Sequence, residues 1–181
     1  GLLFDENRLA SESARALRTL AERQGGDGLW SWFPGGRSSE YISLYIVTGF
    51  GRLRHLGVEV DPAPALKALQ GLDAWMDREY RQILKGAHPE QYVPGYLEAQ
   101  YLYGRSFFLA DQPVTSAYRE AVDFFVKQAG RYWTQLDCRQ CQAQFALALQ
   151  RFGHADQAQA IVKSLKERRV SDPELCMYWR D

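Results

Sequence analysis

Gln24-Gly25-Gly26-Asp27-Gly28-Leu29-Trp30-Ser31-Trp32-Phe33-Pro34-Gly35-Gly36 sets five glycines, one proline and three large aromatics within thirteen residues. Glycines at this density open positive φ to the backbone and let other segments approach closely. Aromatics at this density gain from burial. A turn that hides its tryptophans between two helices satisfies both demands, and the flanks agree. Before it, residues 7–23 carry Leu9, Ala14, Leu17, Leu20 and Ala21 near one face of a helix, with Arg8, Glu12, Arg15, Arg18 and Glu22 on the other. After it, residues 38–56 spread Tyr41, Ile42, Leu44, Tyr45, Ile46, Val47, Phe50, Leu53 and Leu56 in almost every direction. That is the pattern of a buried helix, capped by Ser38 or Ser39 and stopped by Gly57.

Five more helices follow at short spacing. Asp61-Pro62 starts one that runs to about Lys85, with Leu66, Leu69, Leu72, Met76, Tyr80 and Ile83 inward and Lys67, Asp73, Asp77, Arg78, Glu79 and Arg81 outward. An aromatic helix spans Pro94 to Leu109, and a fifth runs from Thr115 or Ser116 to Tyr132 over Val122, Phe125, Val126 and Ala129. A sixth covers 136–152 and a seventh 155–168. No segment reads as a strand. Amphipathic helices (first, third, fifth, seventh) alternate with more apolar ones (second, fourth, sixth). The expected fold is therefore all-α in two layers, amphipathic outside and apolar inside: an α/α toroid or a partial ring of about seven helices in hairpins.

Composition narrows the function classes. The chain has 181 residues, one domain's worth over 1–181, with a formal net charge of zero, so no electrostatic footprint for nucleic acid or an anionic membrane is expected. No apolar run is long enough to span a bilayer. The start, Gly1-Leu2-Leu3-Phe4-Asp5-Glu6, lacks the pattern of a signal peptide, and Gly1 in place of Met suggests a fragment of a larger protein. Three cysteines (Cys138, Cys141, Cys176) are an odd number, which argues against a disulfide framework.

Gln24, Gly28 and Trp30 match the Gln–Gly–Trp repeat of the terpene cyclases, which are α/α toroids. That resemblance implies that the Gln caps helix ends and the Trp packs between helices. The acidic Asp-x-Asp-Asp motif of those enzymes is missing, and no Asp/Cys/His zinc set of a protein prenyltransferase subunit can be assembled. A resemblance covering more of the chain is carried by Gly28 to Gly36, Ser39 to Val47, Tyr96 to Leu102, Ser164 to Glu167 and Met177-Tyr178-Trp179. These segments look like the toroidal, thioester-type domain of the bacterial alpha-2-macroglobulin family. Members of that family trap proteases that cleave a bait region. Many also acylate the target through a Cys-Gly-Glu-Gln thioester, which needs Cys and Gln three residues apart, shielded from water. This chain has no Cys-Gly-Glu-Gln. In the family the motif lies before the stretch matching Gly28 to Phe33. Either it precedes Gly1 in the parent or the parent is a member without it.

Other candidates for chemistry have plain structural readings beside them. Cys141 and Gln144 stand three apart, but mid-helix and without the Gly-Glu pair. Cys138-Arg139-Gln140-Cys141 would need two more ligands for zinc, with Cys176 and His154 the nearest in type. A redox role would want it at a helix N-terminus after a strand, so two incidental thiols are expected. His55, His88 and His154 fall near helix ends or turns, where dipole interaction or solvation explains them. Glu40, Glu90 and Glu98 lie in aromatic-rich stretches, as a glycosidase's carboxylate pair would, but helix capping and a buried, hydrogen-bonded Glu98 fit them as well.

The integrated expectation is a structural module with no catalytic residue, cofactor or metal, organised around the turn residues Gln24, Gly28, Trp30 and Trp32. The family resemblance implies a non-catalytic part of a protease-trapping inhibitor in the periplasm, at the cell surface or outside the cell. Its partners would be the other domains of the parent chain and, through the whole parent, target proteases; no nucleic acid and no membrane contact are expected. The alternatives on the same scaffold are a glycosidase or terpene-cyclase-like enzyme and a helical-repeat module that binds peptides on its concave face.

Overall fold

A computed structural model describes residues 6–174 and 176–179. The side chain of Leu9 and the first five residues, on which the fragment reading rests, lie outside them. Seven α-helices are present among the described residues: α1 (Glu6–Glu22), α2 (Glu40–His55), α3 (Ala63–Ile83), α4 (Tyr96–Ser106), α5 (Ser116–Tyr132), α6 (Arg139–Arg151) and α7 (Ala155–Glu167). Each begins and ends within a few residues of the place its periodicity and punctuation predict. Ser39 caps α2 by accepting from the Ile42 N–H, and Gly57 stops the helix with φ 79°. The Asp61 carboxylate accepts from the Ala63 N–H at 3.0 Å, at the start of α3.

The helices form two rows. α2 packs on α4 and α4 on α6, while α3 packs on α5; the pairs α2–α3, α4–α5 and α6–α7 join the rows. The core lies between them, on Leu69, Leu72 and Met76 of α3, Tyr101 and Leu102 of α4, Phe125 of α5 and Phe145 and Leu149 of α6. The apolar helices are nevertheless not buried all round. Tyr41 and Tyr45 of α2 are 42% and 66% exposed, because the far side of the α2–α4–α6 row faces solvent. Among the described side chains of α1, only Leu17 and Leu20 are apolar residues packed against the core; Ala14 and Ala21 are exposed.

Two further expectations fail. A short antiparallel hairpin, β1 (Val170–Asp172) and β2 (Cys176–Tyr178), follows α7, with Ser171 opposite Met177. Asp172 sets its turn by accepting from the Glu174 N–H, a local hydrogen bond of the kind that favours turns over helix. Asp73 does not look outward: it is 2% exposed. It lies on the stripe of Leu69, Leu72, Met76 and Tyr80, and a partner on α4 compensates its charge, as described below.

The α2–α4–α6 row packs closely where α2 meets α4, because small residues sit at that crossing. A Cβ added at Gly51 would lie 2.5 Å from the Phe107 ring, and one at Gly104 would lie 2.6 Å from Thr48 Oγ1. Gly51→Ala gains about 1 kcal/mol in helix propensity. It loses more, because the clash is with the base of Phe107 and overpacking costs about 1–3 kcal/mol. Gly49 has open space at the same point, so Gly49→Ala keeps the propensity gain. Urea melts should show G51A less stable than the parent and G49A equal or more stable.

Candidate functional site

The glycine-aromatic turn is a clamp on three helices. The Trp30 indole N–H donates to the Leu20 carbonyl of α1 at 2.7 Å. Its backbone N–H donates to Ser43 Oγ of α2, and its carbonyl accepts from the Ser39 N–H. Gln24 reaches α3: its amide Nε2 donates to the carbonyls of Gly28 and Pro64, both at 2.7 Å. Pro64 lies in the first turn of α3, so Gln24 ties the turn to a helix start. Gly28 has φ 83°, and a Cβ there would lie 2.6 Å from the Lys67 carbonyl oxygen. Both the dihedral and the close approach require glycine at this position. Leu29 packs against Gly71.

Trp30 is 2% exposed, but Trp32 is 60% and Phe33 74% exposed, so the turn hides only one of its tryptophans. The reason is local. Ser31 and Ser38 form an antiparallel bridge, and residues 32–37 between them lie exposed at the surface. Trp32 stacks on Tyr41, and Tyr41 on Tyr96, at centroid distances of 5.9 and 6.5 Å. Three aromatic rings thus line the outer side of α2 and α4.

That face leads to a groove of about 150 Å³ across α2, α4 and α6, lined by Tyr45, Arg52, Tyr96, Tyr103, Gln140 and Gln144 among others. Its polar groups run from helix to helix. Gln144 Nε2 donates to Gln100 Oε1 at 2.6 Å, and Gln100 Nε2 donates to Thr48 Oγ1 at 3.1 Å. A larger apolar groove of about 790 Å³ lies along α6 and α7 over Ala146, Leu147, Ala158 and Val162.

The candidate chemical residues are spread over the molecule. Glu40 pairs with Arg78 at 3.4 Å, and Glu90 with His88 at 3.4 Å. Glu98 is half-buried and accepts from the Tyr92 hydroxyl and the Gly95 N–H at 2.8 and 2.7 Å, closing the start of α4. Burial first, and then the Glu98 carboxylate, push the Tyr92 hydroxyl well above its ordinary range. None of these carboxylates lines either groove. His55 packs edge-on to Phe107, and His154 precedes α7. Among the described residues no group of three or more His, Cys, Asp or Glu is arranged to hold a metal ion. No helix of the described residues is long and apolar enough to cross a membrane.

The cysteines correct the expectation of incidental thiols. Cys138 and Cys141 are joined in a disulfide, with their Cα atoms 5.2 Å apart, while Cys176 is free and exposed. Cys141 is thereby committed, and the Gln144 amide is bonded to Gln100, so the two do not meet as a thioester pair would.

A buried ion pair was not legible as a pair. Asp73 of α3 accepts from Arg105 Nε at 3.0 and 3.2 Å and from the Tyr101 hydroxyl at 2.7 Å, both on α4. Arg105 Nη2 donates to the Gln112 carbonyl after α4. The position of Asp73 on the apolar stripe of α3 was the available signal. No family model matches this chain, and no curated protein matches it either.

Proposed function

We propose that the chain is a structural module of an alpha-2-macroglobulin-like, protease-trapping protein, built as part of an α/α toroid and without catalysis of its own. The single observation that carries this is the Gln24–Trp30 clamp, which joins α1, α2 and α3 through the residues that the terpene-cyclase Gln–Gly–Trp resemblance assigns to a turn of an α/α toroid, the fold class of the alpha-2-macroglobulin thioester-type domain. The two-row packing supports the toroidal reading, and so does a recurrence. The Trp30 indole binds the carbonyl of Leu20, third from the end of α1, and the Trp179 indole binds that of Leu165, third from the end of α7, again at 2.7 Å. The same device at two outer helices is what a repeated hairpin unit produces. A disulfide suits an exported protein, because oxidising compartments preserve it. The partners in this reading are the remaining domains of the parent and the proteases it encloses.

Trapping has a distinctive signature. A trapped protease keeps its activity on a small chromogenic peptide and loses it on a large protein. The full parent, mixed in slight excess with a broad-specificity serine protease, should show that split after cleavage at one exposed segment. Unchanged digestion of the large protein by a panel of proteases would sink the proposal.

A further inference from the structure

We propose that Cys138 and Cys141 are a redox-active pair that exchanges its disulfide with an external dithiol, an activity independent of the trapping reading. The placement carries the inference. Cys138 is the N-cap residue of α6 and Cys141 stands in its first turn, so the two-residue spacer folds as the start of a helix. The Cys141 backbone N–H donates to Cys138 Sγ at 3.1 Å. The free N–H groups and positive end of a helix stabilise a thiolate at this position, the device by which Cys-x-x-Cys pairs become reactive. Arg139 follows Cys138 with the same sign of effect, and Asp137 before it opposes. Burial divides the roles: Cys138 is partly buried at the edge of the core and keeps some exposure, whereas Cys141 is 1% exposed within it. A disulfide serving only as a staple gains most by closing a long loop. This one has a sequence separation of 3, inside a helix start that Gln142 already anchors by donating to the Trp133 and Leu136 carbonyls.

The exchange balances over two steps. A thiolate of the dithiol attacks Cys138 Sγ; the bond between Cys138 and Cys141 breaks, and its electron pair leaves on Cys141, which takes up a proton. The partner's second thiol gives up its proton and attacks the partner sulfur of the mixed disulfide. Cys138 then departs as a thiolate held by the α6 N-terminus. Two electrons pass from the dithiol, which becomes a disulfide, to the pair, which becomes two thiols. The reverse reaction oxidises a partner dithiol.

The test uses the 181-residue chain with Cys176→Ser, equilibrated against a series of reduced to oxidised dithiothreitol ratios. Acid quenching, thiol labelling and mass mapping follow. A reversible transition should appear while the helical circular dichroism stays constant. In the reduced chain, iodoacetamide should modify Cys138 at least about tenfold faster than Cys141. Cys141→Ser, presented with oxidised glutathione, should trap a mixed disulfide on Cys138; Cys138→Ser, which keeps a good cap, should trap far less on Cys141. Reduction only where the helical signal is lost would overturn the proposal and leave a structural staple. Equal alkylation rates, or trapping on Cys141, would overturn it as well.

Discussion

Trp30→Ala lowers the stability of the chain by about 3–5 kcal/mol, the range for truncating a large buried aromatic. At about 2–4 °C per kcal/mol for a chain of this size, the melting temperature falls by roughly 6–20 °C. The cost has two parts. Removing the indole empties a site that is closed on all sides, since Trp30 is 2% exposed, and the cavity adds to the lost transfer energy. It also removes the bond to the Leu20 carbonyl, worth about 1 kcal/mol net. Trp32→Ala is the comparison. Trp32 is 60% exposed and the substitution chiefly removes its stacking on Tyr41, so the change costs about 1 kcal/mol or less. Urea denaturation of both variants, followed by circular dichroism, separates the two tryptophans. Equal effects would show that the turn does not hold the helices together through Trp30.

That contrast marks what could be read in the sequence. Trp30 and Trp32 have the same side chain, two residues apart in a glycine-rich stretch. Which one is buried is set by the Ser31–Ser38 bridge, which closes an exposed loop over residues 32–37 just after Trp30. A bridge between two serines leaves no signature in composition or periodicity. The helices were legible because each carries its own apolar spacing and its own punctuation, such as Gly57 after α2 or Asp61-Pro62 before α3. The two rows followed from the alternation of apolar and amphipathic segments. Long-range pairing was not legible. Asp73 reads as polar until Arg105 and Tyr101, 32 and 28 residues away, are brought to it. Likewise, an odd number of cysteines hid a disulfide that needed only a helix start between its partners. The β1–β2 hairpin was missed because its strands are three residues each, too short for an alternation to show.

Arg105→Met should destabilise the chain by about 3–5 kcal/mol near neutral pH, the cost of leaving a buried charge without its partner. The guanidinium is 1% exposed, lies against Asp73 and ties α4 to the Gln112 carbonyl. The pH dependence identifies the cause. Burial is the largest influence on the Asp73 carboxyl and raises it above its ordinary range, while Arg105 and then the Tyr101 hydroxyl pull it back. A carboxyl raised in the folded state contributes stability that is fully present below its unfolded pKa and lost as pH rises through the folded value. Removing Arg105 takes away the strongest downward pull, so the folded value climbs further and the loss with rising pH grows. The variant should therefore lie closer to the parent at about pH 4 than at about pH 7. Replacing both partners, as Asp73→Leu with Arg105→Met, should recover a large part of the lost stability, because no buried charge is left exposed to the low dielectric. Urea melts of the parent, the single variants and the double variant at both pH values give the coupling directly. A cost for Arg105→Met below about 1 kcal/mol, equal at both pH values, would mean that Asp73 is neutral in the fold and that α3 and α4 are joined there by hydrogen bonds alone.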